Sequence, residues 1–347
     1  MKASYQKYTL EFKQPAGTSR GVLKYKDTYF LLIENKTEKG IGECNLFKGL
    51  SSDDRPGYEE KLQWVCDHIG MKPAEMMQEL QEWPSILFGY EMAMKSLQSG
   101  DPFTLFPSPF TQGQDAIPIN GLVWMGDQEF MMKQLEDKLE AGFSCIKLKI
   151  GAIDFDAEMK LLKSVRSRFR ESEVTIRVDA NGAFQPNEAL AKLEEISKYK
   201  VHSIEQPIKQ GQWQEMAQLC EKTPVPIALD EELIGLYDSK KRSDCLDQIK
   251  PQFIILKPAL VGGFANSRDW INLAGERNID WWITSALESN IGLNAIAQFT
   301  YTLGVSMPQG LGTGGLYTNN IEAPLEIKKG ALYCNDIAGW NTNPINI

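Results

Sequence analysis

Five charged residues close apolar, β-branched segments at nearly constant intervals: Lys149, Asp179, Glu205, Asp230 and Lys257 follow one another by 30, 26, 25 and 27 positions. An interval of that size holds one strand and one crossover helix, so the pattern demands a parallel sheet whose strands end in ionisable side chains. Candidate strands are Pro118–Val123, Cys145–Ile150, Thr175–Asp179, Ser203–Glu205, Ile227–Asp230, Phe253–Lys257, Trp281–Ser285 and Gly304–Met307. Helical stretches lie between them. After Gly151, for example, Phe155, Met159, Leu162, Val165 and Phe169 recur every three or four residues and form one apolar helix face. Eight such strands favour closure into a barrel over an open doubly wound sheet, and no GxGxxG follows the first of them.

The flanking sequence has another character. Tyr8–Phe12, Gly21–Lys26 and Tyr29–Glu34 read as strands broken by turns at Pro15-Ala16-Gly17 and Asn35–Gly40, an antiparallel sheet. From about 57 to 100 the period turns helical, with Ile86, Leu87, Tyr90, Met94 and Leu97 on one face and Gly100-Asp101-Pro102 as the stop. The expected organisation is an α+β domain over 1–113, a barrel over 114–317, and a tail over 318–347. The tail's strand-like pieces Leu325–Ile327 and Ala331–Tyr333 are expected to return to the first domain.

A formal net charge of −9 argues against nucleic-acid binding, which relies on clustered Lys and Arg, and points to a small-molecule partner. No apolar run approaches the roughly 20 residues of a membrane span. The stretch Met1–Gln14 alternates like a strand and lacks the apolar core of a secretory leader, so none is expected. Cys44, Cys66, Cys145, Cys220, Cys245 and Cys334 lie far apart without a CxxC pair, which suits a reducing cytoplasm better than a disulfide framework or a zinc knuckle. His68 and His202 are the only histidines, so acid–base chemistry falls to other side chains.

Lys147 and Lys149 alternate with Ile146, Leu148 and Ile150, which puts both ammonium groups on one face of a strand. Proximity and burial each disfavour charge, so one of the pair is a candidate base; two solvated lysines on a surface strand are the competing reading. Asp179, Glu205 and Asp230 supply carboxylates from three consecutive strands, an all-oxygen set suited to Mg²⁺ or Mn²⁺ rather than zinc. A lone acid of this kind more often caps a helix, but three in register do not, although Glu231 or Glu232 competes with Asp230 as third ligand. Lys257, in an apolar strand, stands across the barrel mouth from Lys149.

The motifs KLK at 147–149, VDAN at 178–181, IEQP at 204–207, LDE at 229–231 and KPALVGG at 257–263 resemble the enolase superfamily, in particular its muconate-lactonising-enzyme subgroup. Gly40-Ile-Gly-Glu43 and the helix at 84–97 are similar to that family's capping domain, and SALESNIG at 285–292 to its seventh-strand motif. The resemblance implies an α/β fold, a (β/α)7β modified TIM barrel with an α+β capping domain built from the N-terminal segment and the C-terminal tail. It implies Mg²⁺ on Asp179, Glu205 and Asp230, Lys149 and Lys257 on opposite faces of a carboxylate substrate, and Lys147 neutralising that carboxylate. Asn181, Gly262, Ser285 and Glu288 are the implied substrate-binding residues, and the loops at Gly17–Gly21 and Leu46–Ser51, with Arg20 and Phe47, the implied selectors of the substrate tail. The segment Met307–Gly315 carries no acid to hold an α-ammonium. It resembles the o-succinylbenzoate synthase family, with a dipeptide epimerase or N-acylamino acid racemase as the alternative.

Overall fold

The computed structural model describes residues 1–18, 21–124, 126–151, 154–335 and 339–345. The chain opens with strands β1 (Lys2–Thr18), β2 (Gly21–Glu34) and β3 (Lys39–Cys44), paired in that order as an antiparallel sheet. Pro15-Ala16-Gly17 does not turn the chain. The β1–β2 register shifts between Glu11 and Ala16, and pairing resumes out to Thr18–Gly21, so the extra residues are taken up as an irregularity within the hairpin. Ser19 and Arg20, at its tip, lie outside the described residues.

Helices α1 (Tyr58–Asp67), α2 (Pro73–Glu79) and α3 (Pro84–Ser99) follow. α3 buries Ile86, Leu87 and Leu97 and also Phe88, Met92 and Ala93, because it lies between β3 and the barrel rather than on a surface. The approach to β3 has no room for side chains: a Cβ on Gly42 would stand 1.8 Å from the carbonyl oxygen of Gly89. Gly100 ends α3 in the left-handed conformation.

Beyond β4 (Ala116–Pro118), the barrel strands are β5 (Gly121–Val123), β6 (Cys145–Lys149), β7 (Thr175–Asp179), β8 (Ser203–Glu205), β9 (Ile227–Leu229), β10 (Phe253–Leu256) and β11 (Asp280–Ile283). They lie in sequential order and every pairing is parallel. The intervening helices are α4 (Gln128–Glu140), α5 (Phe155–Arg168), α6 (Pro186–Ser197), α7 (Trp213–Lys222), α8 (Ser239–Ile249), the short α9 (Pro258–Val261), α10 (Gly263–Gly275) and α11 (Asn290–Tyr301).

The eighth position is not a strand at Gly304–Met307. Closure is made by Gln309, bridged in parallel to Ile119, and Gly310, bridged to Thr284. The amide of Asn120 donates to the Gln309 carbonyl at 2.9 Å and that of Gly310 to the Ile283 carbonyl at 2.8 Å. Residues 302–304 instead form the turn leaving α11, and Pro308 has no N–H to give a ladder. The fully buried Gln309 side chain stiffens the closure, accepting from the Ile283 amide and donating to the Met307 carbonyl.

The tail divides its contacts. Leu316–Asn319 runs beside β1, with the Lys13 amide on the Leu316 carbonyl, the Thr318 amide on the Glu11 carbonyl and the Tyr8 hydroxyl on the Asn319 carbonyl. The hairpin of β12 (Leu325–Lys328) and β13 (Ala331–Cys334) pairs with β4 under the barrel, not with the β1–β3 sheet.

Candidate active site

Lys147 and Lys149 on β6 stand beside Arg177 and Asp179 on β7, and Asp179 beside Glu205 on β8. Alternation within each strand points these side chains to the barrel axis, with the charged ends at the mouth and Arg177 one layer deeper. Asp230 follows β9 and Lys257 follows β10. In an eight-membered ring β6 and β10 are four places apart, so Lys149 and Lys257 face each other from opposite walls.

Asp179, Glu205 and Asp230 each offer a carboxylate oxygen within 4.8 Å of the others, and all three are buried. One oxygen of this group, Glu205 Oε1, is buried without a hydrogen-bond partner. Burial, partly offset by Lys147, and the crowding of Asp179 and Asp230 push Glu205 up to about 8. An orphaned oxygen in a crowded, all-carboxylate set is what a small hard dication would relieve, so the residues fit Mg²⁺. Glu231 and Glu232 take other roles: Glu231 accepts from Asn181 Nδ2 at 3.0 Å, and Glu232 accepts from the Gly211 amide and Gln206 Nε2.

Lys147 is not driven neutral by the neighbouring lysine, because Asp179 lies between the two. Its Oδ2 accepts from Lys147 Nζ at 3.1 Å and from Lys149 Nζ at 2.5 Å. Burial alone would depress Lys147, but Glu205, at 2.7 Å, and Asp179 outweigh it and hold the ammonium well above the ordinary lysine range. Asp179 shows the reciprocal effect: against burial, Lys149 and Lys147 hold its carboxyl far below the usual range. Lys149 also donates to Asn181 Oδ1 at 2.7 Å. Lys257 pairs with Asp230 at 2.5 Å, and although burial opposes it, Asp230 and Glu231 raise its pKa.

These groups open into a cavity of about 820 Å³, mouth included. Lys147, Lys149, Asn181, Glu231 and Lys257 line one part, and Phe47, Leu50, Leu122, Trp124, Ala286 and Leu287 form an apolar part. Asn120, Ser285 and Thr313 add polarity, with the Ser285 and Thr313 hydroxyls 2.6 Å apart. Of the residues the sequence assigned to substrate, Asn181 and Ser285 are therefore here, and so is Phe47.

Glu288 and Gly262 are not. Glu288 is fully buried behind the wall, with Oε1 accepting from Asn45 and Oε2 from the Ala286 amide. Gly262 turns the chain between α9 and α10 at φ 93°, where a Cβ would lie 2.4 Å from Asn266 Nδ2. Asn120, Trp124, Thr284 and Thr313 escaped the sequence reading. The polar Asn120 inside the apolar run Ile117–Val123 was the one visible signal.

Known proteins with this arrangement define the class. Residues 131–344 match the family described as enolase C-terminal domain-like. An o-succinylbenzoate synthase of Desulfotalea psychrophila is 47% identical over 96% of this chain and 98% of its own length. The crystal structure of MenC from Desulfotalea psychrophila LSv54 superposes with a TM-score of 0.86 at 42% identity, covering 96% of this chain and 99% of that one. An o-succinylbenzoate synthase from Thermosynechococcus elongatus BP-1, with Mg in its active site, shares the fold at 22% identity and a TM-score of 0.74, over 89% of this chain and 92% of that one. The chain belongs to the enolase superfamily and, within it, to the o-succinylbenzoate synthase family.

Proposed function

We propose that this chain is a Mg²⁺-dependent lyase that dehydrates 2-succinyl-6-hydroxy-2,4-cyclohexadiene-1-carboxylate to o-succinylbenzoate, a step of menaquinone biosynthesis. The observation that carries the reading is the placement of Lys149 and Lys257 on opposite walls of one cavity, beside three clustered carboxylates. The relatives' name supports the substrate.

Asp179, Glu205 and Asp230 would hold the Mg²⁺, for which Mn²⁺ is a plausible substitute. Held there, the ion would supply positive charge that lowers the cost of forming the carbanion next to a carboxylate. Lys149 removes the proton α to the carboxylate, helped by Asn181, which holds its amine through Oδ1. Charge then moves onto the carboxylate, next to the Lys147 ammonium. The ring C–O bond breaks, its electron pair leaving with the hydroxyl, and the Lys149 ammonium returns its proton on the same face to release water. Lys257 stays protonated through its pairing with Asp230 and stabilises the anionic intermediate from the opposite face, electrostatically or over the ring.

The apolar wall would take the ring, and Ser285, Thr313 and Asn120, which line the same cavity, would bind the succinyl carboxylate. An α-ammonium group would meet no carboxylate along Met307–Gly315, which weighs against an epimerase of dipeptides. Cys44, Cys66, Cys145, Cys220 and Cys245 are buried thiols, which supports a cytoplasmic setting; no described helix is long and apolar enough to cross a membrane.

The test is steady-state turnover of the cyclohexadiene carboxylate with Mg²⁺, beside dipeptides and N-acylamino acids in D₂O. Dehydration should fall about 10³-fold or more in Lys149→Ala. Exchange with dipeptides and no dehydration by the wild type would replace the dehydratase by an epimerase.

A further inference from the structure

The wall of the cavity formed by Ala286 and Leu287 is held by a buried polar cluster that the reaction does not use. Leu287 sits at φ 62°, in the left-handed region that residues with a branched side chain rarely adopt. Its carbonyl accepts from the Tyr317 hydroxyl at 2.7 Å. The turn is clamped on both sides of that residue by Glu43 on β3 and Asn45 just after it, together with the turn's own Glu288. Asn45 Nδ2 donates to the Ala286 carbonyl and to Glu288 Oε1, both at 2.9 Å, and Glu288 Oε2 accepts from the Ala286 amide at 2.6 Å. Asn45 Oδ1 in turn accepts from the buried ammonium of Lys26. On the far side Glu43 accepts from the Ser289 amide and hydroxyl and from the Gly292 amide, at 2.9, 2.6 and 2.8 Å. The packing leaves no slack, since a Cβ on Gly292 would lie 2.7 Å from Glu288 Cγ and 2.8 Å from Glu43 Oε2.

Asn45 stands two residues from Phe47, and Phe47 and Leu287 pack together in one apolar cluster while both line the cavity. One network therefore fixes both walls of the apolar part, one carried by the N-terminal sheet and the other by the barrel. We propose that Glu288, acting with Asn45, is a positioning residue that holds the Leu287 turn against Phe47 and so selects the part of the substrate remote from the reacting carbons. This selection role rests on the dehydratase reading above.

The experiment compares wild type, Glu288→Gln, Leu287→Gly and the double variant, by steady-state dehydration and by Mg²⁺ calorimetry. An amide at 288 presents an NH₂ where one oxygen now accepts, so one of the donors Asn45 Nδ2 and Ala286 N loses its acceptor. Glu288→Gln should raise KM tenfold or more, keep kcat within about threefold, and leave Mg²⁺ affinity unchanged; an asparagine or alanine at 288 should not restore KM, and reversion to glutamate should. Leu287→Gly accepts the same backbone without strain and removes the side chain, so adding Glu288→Gln to it should raise KM no further.

A purely structural Glu288 would lower kcat with the fraction of folded protein at constant KM, and that result overturns the proposal. So does full additivity of the two substitutions, which remains readable if Glu288→Gln alone folds poorly. A wild type without dehydratase activity overturns the functional reading and the selection role with it. Normal wild-type turnover with unchanged KM in Glu288→Gln overturns the positioning role alone.

Discussion

Two clusters of buried carboxylates lie within this fold, and they differ in how their oxygens are used. At the junction of the N-terminal sheet and the barrel, Glu43 Oε1 accepts from the Thr28 hydroxyl and the Ser289 amide, and Oε2 from the Ser289 hydroxyl and the Gly292 amide. At the barrel mouth, Glu205 Oε1 has no hydrogen-bond partner, although the residue is equally inaccessible to solvent. Burying a carboxylate is costly unless its lone pairs are taken. The satisfied cluster is a joint, and the unsatisfied one has an acceptor in reserve for a cation or a substrate.

The same isosteric change made in each cluster gives the sharpest contrast. Glu205→Gln should abolish measurable Mg²⁺ binding and lower turnover by about 10³-fold or more. It should leave metal-free stability unchanged or improved, because it removes one of three crowded carboxylates. Glu43→Gln should do the reverse. Its NH₂ must face donors already aimed at an acceptor, at a cost of about 3 kcal/mol in urea unfolding, with Mg²⁺ affinity within a factor of two or so. Equal losses of stability in both variants would erase the distinction.

A third buried carboxylate tests it through pH. Asp53 accepts from the amide and hydroxyl of Ser85, tying the loop that carries Phe47 and Leu50 to the start of α3. Burial, only partly countered by those hydrogen bonds, raises it from 3.8 to about 6. The folded protein thus retains a proton between those values that the unfolded chain releases, and its stability declines as pH rises through the window. Asp53→Asn keeps an acceptor and has no proton to lose. Relative to wild type it should gain roughly 2 kcal/mol between pH 4 and pH 6, read from urea midpoints at each pH. A parallel pH profile for the two proteins would show that Asp53 ionises freely in the fold.

Much of the catalytic half was legible in the sequence because its signal is local and repeated. Lys149, Asp179, Glu205, Asp230 and Lys257 each end an apolar segment, and period-two alternation aims them inward without knowledge of any partner. The same rule applied to Thr175–Asp179 would have placed Arg177 inside the barrel, where its guanidinium lies 4.0 Å over the Trp282 ring and donates to the Pro308 carbonyl. The eighth strand misled because Val305 and Met307 look strand-like, while the bridge that closes the barrel is a glutamine and a glycine with no hydrophobic pattern. Glu288 went to the substrate because the segment 285–292 resembles the family's seventh-strand motif. Its partner Asn45 is 243 positions away, and no pattern in one sequence joins them. Leu287 likewise gives no hint of a positive φ, since the strain, worth about 1–3 kcal/mol, is imposed by tertiary contacts.

The smallest expected effect lies at the other end of the barrel from the carboxylates, and it has the opposite sign to that of Asp53. His202 packs against Phe253 at 5.0 Å between ring centres, and its Nδ1 is 3.0 Å from the Ser203 hydroxyl. Burial, then the neighbouring Arg177, lower it from 6.5 to about 4. Between those values the unfolded chain takes up a proton that the folded protein refuses, so stability falls as pH falls. The imidazole is partly open to solvent, which limits the contribution to roughly 1–2 kcal/mol. His202→Phe keeps the aromatic packing and removes the titration. Its urea midpoint should therefore gain on wild type from pH 6.5 down to pH 4, with turnover at pH 8 unaltered. Combined with Asp53→Asn, it should return the slope between pH 4 and pH 6 close to that of wild type, since the two changes have opposite sign and, at sites that share no contact, should add.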